Sequence, residues 1–118
     1  LINLHVLAAM FRKLGCNYLT ASSGAEALDI LKTYKPDILL TDMWMPEMNG
    51  AELAAEIRQE RRFDNMTLVT VTADVEAENK ITTQYFDAIL LKPVTLEKLQ
   101  KLFTLFEERK KRDRILTL

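Results

Sequence analysis

The chain alternates between short apolar segments and amphipathic helical ones, and this alternation restricts the fold more than any other feature of the sequence. Residues 37–42, 67–72 and 88–91 are short, apolar and rich in branched side chains, as in strands buried on both faces. Residues 16–21 give a further, shorter extended segment. Strict alternation with short connections predicts a parallel sheet that is covered by helices on both faces.

Helical segments separate these strands, and several carry end signals. Ser23 with Glu26 three residues later predicts a helix start, and Asn49 is suited to cap a helix from residue 50 to about 62. Thr95 is suited to cap a last helix. Apolar spacing also predicts a first helix over 2–14, closed by Gly15, and a weaker one over 74–85.

Composition narrows the class of protein. The 118 residues are enough for one domain, and a formal net charge of −1 argues against a strongly basic nucleic-acid binder. The single cysteine, Cys16, excludes an internal disulfide and a cysteine-rich zinc site, and it suits a reducing compartment. Without a membrane-length apolar run or a recognisable leader, we expect a cytoplasmic domain that makes no membrane contact of its own and no direct contact with nucleic acid.

Three polar residues come at the ends of three predicted strands: Asp42, Thr72 and Lys92. The carboxyl ends of parallel strands meet at one edge of the sheet, where ligands bind in open α/β folds. A carboxylate can act as a nucleophile toward phosphorus, while a hydroxyl and an ammonium can hold phosphoryl oxygens. Carboxylate and phosphoryl oxygens repel each other, so a hard cation such as Mg²⁺ would be needed between them.

Each of these residues also has an ordinary explanation. Asp42 taken alone is as well explained by an acid at the start of a loop, Thr72 by a strand residue, and Lys92 by a surface charge. Their coincidence at three strand ends favours a site over three unrelated explanations.

The motifs around these residues resemble those of a response-regulator receiver domain over nearly the whole chain. They are the segment LLTDMWMPEMNG over residues 39–50, Val71-Thr72-Ala73, and Leu91-Lys92-Pro93. The first is highly specific, and the other two gain weight from their order. The resemblance implies a flavodoxin-like, doubly wound parallel sheet within one receiver domain over residues 1–118.

The resemblance also implies roles. Asp42 would accept a phosphoryl group, Thr72 and the amide of Ala73 would bind it, and Lys92 would pair with it. The carboxylate of Asp42 and the main-chain carbonyl of Trp44 would be Mg²⁺ ligands. The Lys92–Pro93 peptide bond would be cis.

The partner that the resemblance implies is a histidine kinase or a histidine phosphotransfer domain, and it leaves room for a homodimer. Receivers catalyse their own phosphorylation and dephosphorylation without being metabolic enzymes. The run KPVTLEKL over residues 92–99 is similar to receivers of hybrid sensor histidine kinases. In such a context the whole protein would be a kinase, and it could be anchored in a membrane.

The chain departs from the family pattern at its start, where a first strand followed by two metal-binding acids would be expected. That strand is missing, so the pattern predicts an N-terminally incomplete domain with a gap at the centre of the sheet. Upstream residues or another chain would have to fill this gap. Residues 107–118 are expected to be a charged helix end or linker. Without the acids, Mg²⁺ binding and phosphorylation should be weak.

Two other functions stay open. A receiver-like interaction module that takes no phosphate is favoured if the acids are absent. A hydrolase with an aspartyl nucleophile ranks last, because such enzymes generally need a second acid two residues after the nucleophile, where this chain has Trp44.

Overall fold

The computed structural model describes residues 4–42, 48–73, 84–106 and 114–118. The helices are α1 (Leu4–Lys13), α2 (Gly24–Ile30), α3 (Gly50–Arg58) and α4 (Leu96–Phe106), with a 3₁₀ helix at Arg61–Phe63. The strands are β1 (Asn17–Thr20), β2 (Ile38–Asp42), β3 (Thr67–Thr72), β4 (Ala88–Leu91) and β5 (Arg114–Thr117).

The five strands form one parallel sheet in the order β1-β5-β2-β3-β4. Every residue of β2 and β3 is buried, as expected for strands covered on both faces. The predicted flavodoxin-like architecture is therefore confirmed, and the strands predicted over 67–72 and 88–91 have those bounds.

Helices cover both faces of the sheet. On one face, Leu39 and Leu68 of the sheet pack in a cluster with residues of α2 and α3. On the other face, Leu40 and Val69 belong to a cluster with residues of α1 and α4, in which the rings of Phe11 and Phe103 lie 6.4 Å apart. Because side chains alternate along each strand, the continuous apolar runs supply both clusters.

Strand β5 occupies the place where the sequence pattern predicts a gap. It lies between β1 and β2 and pairs in parallel with both. The backbone amide of Ala21 donates to the carbonyl of Thr117 at 2.9 Å, and that of Leu118 donates to the carbonyl of Leu40 at 3.0 Å. The sequence pattern indicates that upstream residues or another chain would fill this gap, whereas in the structure the end of the same chain pairs with both strand edges.

The expectation that residues 107–118 form a helix end or linker fails for their last part. Ile115 and Leu116 are fully buried, and Leu118 is 6% exposed. Burial on both faces of a central strand outweighs the charged sequence that precedes these residues. Residues 107–113 lie outside the described part of the chain.

The helix ends follow the polar residues that predict them. Asn49 and Glu52 form a reciprocal capping box at the start of α3, and the Ser23 hydroxyl accepts from the amide of Glu26 at α2. Gly15 takes a positive φ of 75° just after α1. Helix α3 ends at Arg58, earlier than predicted, and a 3₁₀ turn then brings Phe63 into the core. All but the last two residues of the helix predicted over 74–85 lie outside the described residues.

Arg58 ties the starts of β3 and β4 together. Its guanidinium donates to the carbonyls of Phe63, Met66 and Tyr85, and to the carboxylate of Asp87 at 2.9 Å. That carboxylate also accepts from the amide of Leu68. This network lies at the amino ends of the strands, away from Asp42.

In the part of the chain that the structure describes, the helices are too short or too polar to span a lipid bilayer.

Candidate functional site

Asp42 is the last residue of β2, the strand beside β5. Its side chain is 3% exposed. A carboxylate buried to this degree needs charged or hydrogen-bonding partners, because burial penalises the charged form strongly.

Lys92 provides such a partner. Its Nζ atom lies 3.0 Å from Oδ2 of Asp42, and its side chain is 31% exposed. The carboxylate is thus enclosed, while the lysine side chain is partly exposed to solvent. The ion pair therefore lies at the carboxyl edge of the sheet, close to the surface, rather than in the apolar interior.

Thr72 ends β3, the strand between those that lead to Asp42 and Lys92. Asp42 is in register with Val71, so Thr72 is one position further along the neighbouring strand. The carbonyl of Thr72 accepts from the amide of Lys92 at 2.8 Å. Thr72 is 2% exposed, whereas the next residue, Ala73, is exposed.

The structure therefore brings Asp42 and Lys92 into direct contact and puts Thr72 on the strand that joins them. The Lys92–Pro93 peptide bond is cis, as the resemblance implies. Trp44, whose carbonyl is a predicted metal ligand, lies outside the described residues.

The described residues do not assemble a full metal site. Across residues 4–42, 48–73, 84–106 and 114–118, no group of three or more His, Cys, Asp or Glu side chains is placed to hold a metal ion. Asp42 offers the oxygens of one carboxylate. Mg²⁺ needs several oxygen ligands in near-octahedral geometry, so Asp42 alone cannot complete its coordination.

The sequence interpretation missed one residue near this site, Lys98 in the first turn of α4. Its ammonium donates to the main-chain carbonyls on either side of Lys92. An isolated lysine on an amphipathic helix gives no sequence signal for such a contact.

Comparison with known proteins identifies the family. The family model described as the response regulator receiver domain matches residues 2–104. This chain belongs to the response regulator receiver domain family. Receiver domains belong to two-component signalling, so the family identification made from the sequence motifs is confirmed.

Several curated relatives are sensor kinases much longer than this chain. The sensor histidine kinase RcsC of Escherichia coli is 35% identical over 113 residues, which are 96% of this chain but 12% of that relative. The sensor histidine kinase CheAY of Helicobacter pylori is 33% identical over 78 residues, or 64% of this chain and 10% of that relative. The chain thus spans about an eighth or less of either protein.

Solved receiver structures have the same fold. A receiver domain from Clostridium thermocellum has a TM-score of 0.78 at 28% identity, with 92% of this chain and 87% of that one covered. The receiver domain of the sensor histidine kinase PA1611 from Pseudomonas aeruginosa, with a magnesium ion in its active-site cleft, has a TM-score of 0.78 at 24% identity. The alignment covers 87% of this chain and 86% of the PA1611 receiver domain.

Proposed function

We propose that this chain accepts a phosphoryl group on the carboxylate of Asp42, delivered from a phosphohistidine of a histidine kinase or a histidine phosphotransfer domain. One observation carries the proposal: a nearly enclosed carboxylate is paired with the ammonium of Lys92, whose side chain is 31% exposed, at the carboxyl edge of the sheet.

In the proposed transfer, a carboxylate oxygen of Asp42 forms a bond to phosphorus while the phosphorus–nitrogen bond of phosphohistidine breaks. The electron pair leaves with the imidazole, which takes up a proton. Lys92 holds Oδ2 of Asp42 before the transfer, and afterwards its ammonium balances the negative oxygens of the bound phosphoryl group.

Thr72 and Ala73 are proposed to bind the transferred group. The Thr72 side chain would donate its hydroxyl proton to a phosphoryl oxygen, and the amide of exposed Ala73 would donate to another. Signalling would then follow from the shift of Thr72 at the end of β3, the strand that joins the acceptor to Lys92.

A divalent cation such as Mg²⁺ would reduce the repulsion between the carboxylate and the incoming phosphoryl oxygens. Asp42 would be one ligand and the carbonyl of Trp44 another. Because the described residues include no group of three or more His, Cys, Asp or Glu side chains placed to hold a metal ion, we expect this chain to bind Mg²⁺ weakly and to be phosphorylated slowly.

The similarity to RcsC supports a receiver within a hybrid sensor kinase as the natural setting. In that setting the whole protein would be a membrane-anchored histidine kinase with this domain in the cytoplasm. Residues 1–118 would act as one receiver domain whose direct contacts are with proteins rather than nucleic acid or membrane, and homodimerisation stays open.

The direct test is the mass of the protein after incubation with phosphoramidate and excess Mg²⁺. We expect an adduct of one phosphoryl group that is lost in Asp42→Asn, because the amide is not a nucleophile for this transfer. Asp29→Asn, which changes an exposed carboxylate on α2, is the matched control and should keep the adduct.

A folded protein that forms no adduct, even at long times, would contradict phosphate acceptance. It would favour the second candidate, a receiver-like interaction module that takes no phosphate. The observation that favours this alternative is that no group of three or more metal-ligating side chains is found among the described residues. Steady turnover of a phosphomonoester would instead indicate a hydrolase.

The register of β5 suggests a test of the expected weak Mg²⁺ affinity, because it shows where added carboxylates would lie relative to Asp42. Leu40 is in register with Thr117, so a second residue added after Leu118 would extend β5 past Asp42. Appending Asp-Asp should strengthen Mg²⁺ binding by at least about tenfold, as added carboxylate ligands raise the affinity of a hard-cation site.

Calorimetric titration with MgCl₂ would measure this gain, and an appended Asn-Asn pair is the control. Equal affinity in the two extended proteins would show that the end of β5 does not approach Asp42 closely enough to complete the site.

A further inference from the structure

Lys98 holds the main chain on both sides of Lys92. Its Nζ donates to the carbonyl of Leu91 at 2.7 Å and to the carbonyl of Pro93 at 2.9 Å. Both are charge-assisted hydrogen bonds, which are shorter and stronger than bonds between neutral groups. One cation thus bridges the residue before Lys92 and the residue after it.

A third bond fixes the same segment from the opposite side. The amide of Lys92 donates to the carbonyl of Thr72 at 2.8 Å, which attaches the segment to β3. The main chain of Lys92 is therefore held by the sheet and by α4 together. Its side chain has only its own torsions left to adjust when it reaches Asp42.

The stability of α4 does not explain a lysine at this position. Lys98 is three residues after Thr95, whose hydroxyl accepts from the amide of Lys98. This is the position where Glu favours a helix start, and where a cation is opposed by the helix dipole. The contacts with Leu91 and Pro93 give a reason for the cation that the helix itself does not.

We propose that Lys98 is a positioning residue for Lys92. By bonding the two flanking carbonyls, it fixes the base of the Lys92 side chain so that the ammonium meets the carboxylate of Asp42 and, after transfer, the phosphoryl oxygens. The effect on phosphorylation rests on the proposed function, whereas the effect on the Lys92 main chain does not.

Lys98→Met and Lys98→Arg test the proposal, with Lys101→Met as the matched control. Lys101 is on the same helix and makes only an exposed ion pair with Glu97 among the contacts described for it. The first measurement is amide hydrogen exchange of Lys92, compared with Leu40 and Val69 in the sheet interior. The second is the rate of adduct formation with phosphoramidate and Mg²⁺.

We expect Lys98→Met to speed exchange at Lys92 about tenfold, as the loss of charge-assisted bonds implies, while Leu40 and Val69 keep their protection. Phosphorylation should slow by about the same factor. Lys98→Arg should keep most of the exchange protection at Lys92 and most of the phosphorylation rate, since a guanidinium can also donate to two carbonyls. Lys101→Met should change neither.

Unchanged exchange at Lys92 in Lys98→Met, or equal acceleration at Leu40 and Val69, would overturn the proposal. Faster amide exchange at Lys92 alone, with an unchanged phosphorylation rate, would overturn the role of Lys98 in the reaction. If the unsubstituted protein forms no adduct at all, the proposed function fails by itself, and selective exchange at Lys92 would still support the positioning of Lys92 by Lys98.

Discussion

Removal of residues 114–118 is expected to abolish the cooperative unfolding transition of this protein. Strand β5 lies between β1 and β2, so its loss leaves backbone donors and acceptors unpaired on both neighbouring strands. It also exposes the apolar side chains that pack against Ile115 and Leu116, both fully buried. Thermal unfolding followed by circular dichroism at 222 nm, which reports backbone secondary structure, would show whether the cooperative transition is lost.

Point variants test the same strand without deleting it. Leu116→Ala should lower the free energy of unfolding by about 2–5 kcal/mol, the usual cost of truncating a buried leucine. Leu105→Ala on α4, where the side chain is 71% exposed, is the matched control and should cost less than about 0.5 kcal/mol. Urea unfolding would compare the two proteins.

A third variant should change stability in the opposite direction. Thr117 is fully buried, and its hydroxyl has no hydrogen-bond partner among the described residues. Thr117→Val should therefore raise the free energy of unfolding by about 1 kcal/mol, because it removes an unsatisfied polar group without changing the shape. If all three substitutions had small, similar effects, β5 would not be an interior strand of the sheet.

The two partners of the ion pair at the sheet edge should respond unequally to substitution. Lys92→Met leaves the enclosed carboxylate of Asp42 without its ammonium, which should cost about 2 kcal/mol at pH 7. This is less than for a fully buried pair, because Lys92 is itself 31% exposed and water can partly replace it. Asp42→Asn removes the buried charge and leaves an ammonium that solvent can reach, so stability should change by less than about 1 kcal/mol.

Urea unfolding of both variants measures this inequality, with Lys101→Met as a control for loss of an exposed ion pair. Equal destabilisation by Lys92→Met and Asp42→Asn would mean that both charges are similarly solvated. That result would conflict with the enclosure of Asp42.

Much of the fold and one contact of the site, between Asp42 and Lys92, could be predicted from the sequence. The run over 88–91 is apolar throughout and the run over 67–72 is rich in β-branched residues, and both compositions favour a buried strand. Asn49 and Glu52 are close enough in sequence to cap α3 regardless of the rest of the chain. Asp42 and Lys92 could be paired in advance because parallel strands bring their carboxyl ends to the same edge.

The prediction was wrong where the cause is not local. The run Ile115-Leu116-Thr117-Leu118 is apolar, but it is short and follows a densely charged segment, so its sequence alone reads as the end of a tail. This segment forms a strand because it pairs with the backbone edges of β1 and β2, which are far from it along the chain. Lys98 was missed for a related reason, since its acceptors are main-chain carbonyls, which carry no residue signature.

The sequence by itself determined the alternation of strands and helices, the family, and the carboxylate, hydroxyl and ammonium at the strand ends, because periodicity and short motifs act through neighbouring residues. Only the tertiary structure decided which segment completes the centre of the sheet and which cation holds the main chain at Lys92. Both depend on the positions of backbone groups in space, and side-chain identity does not encode those positions.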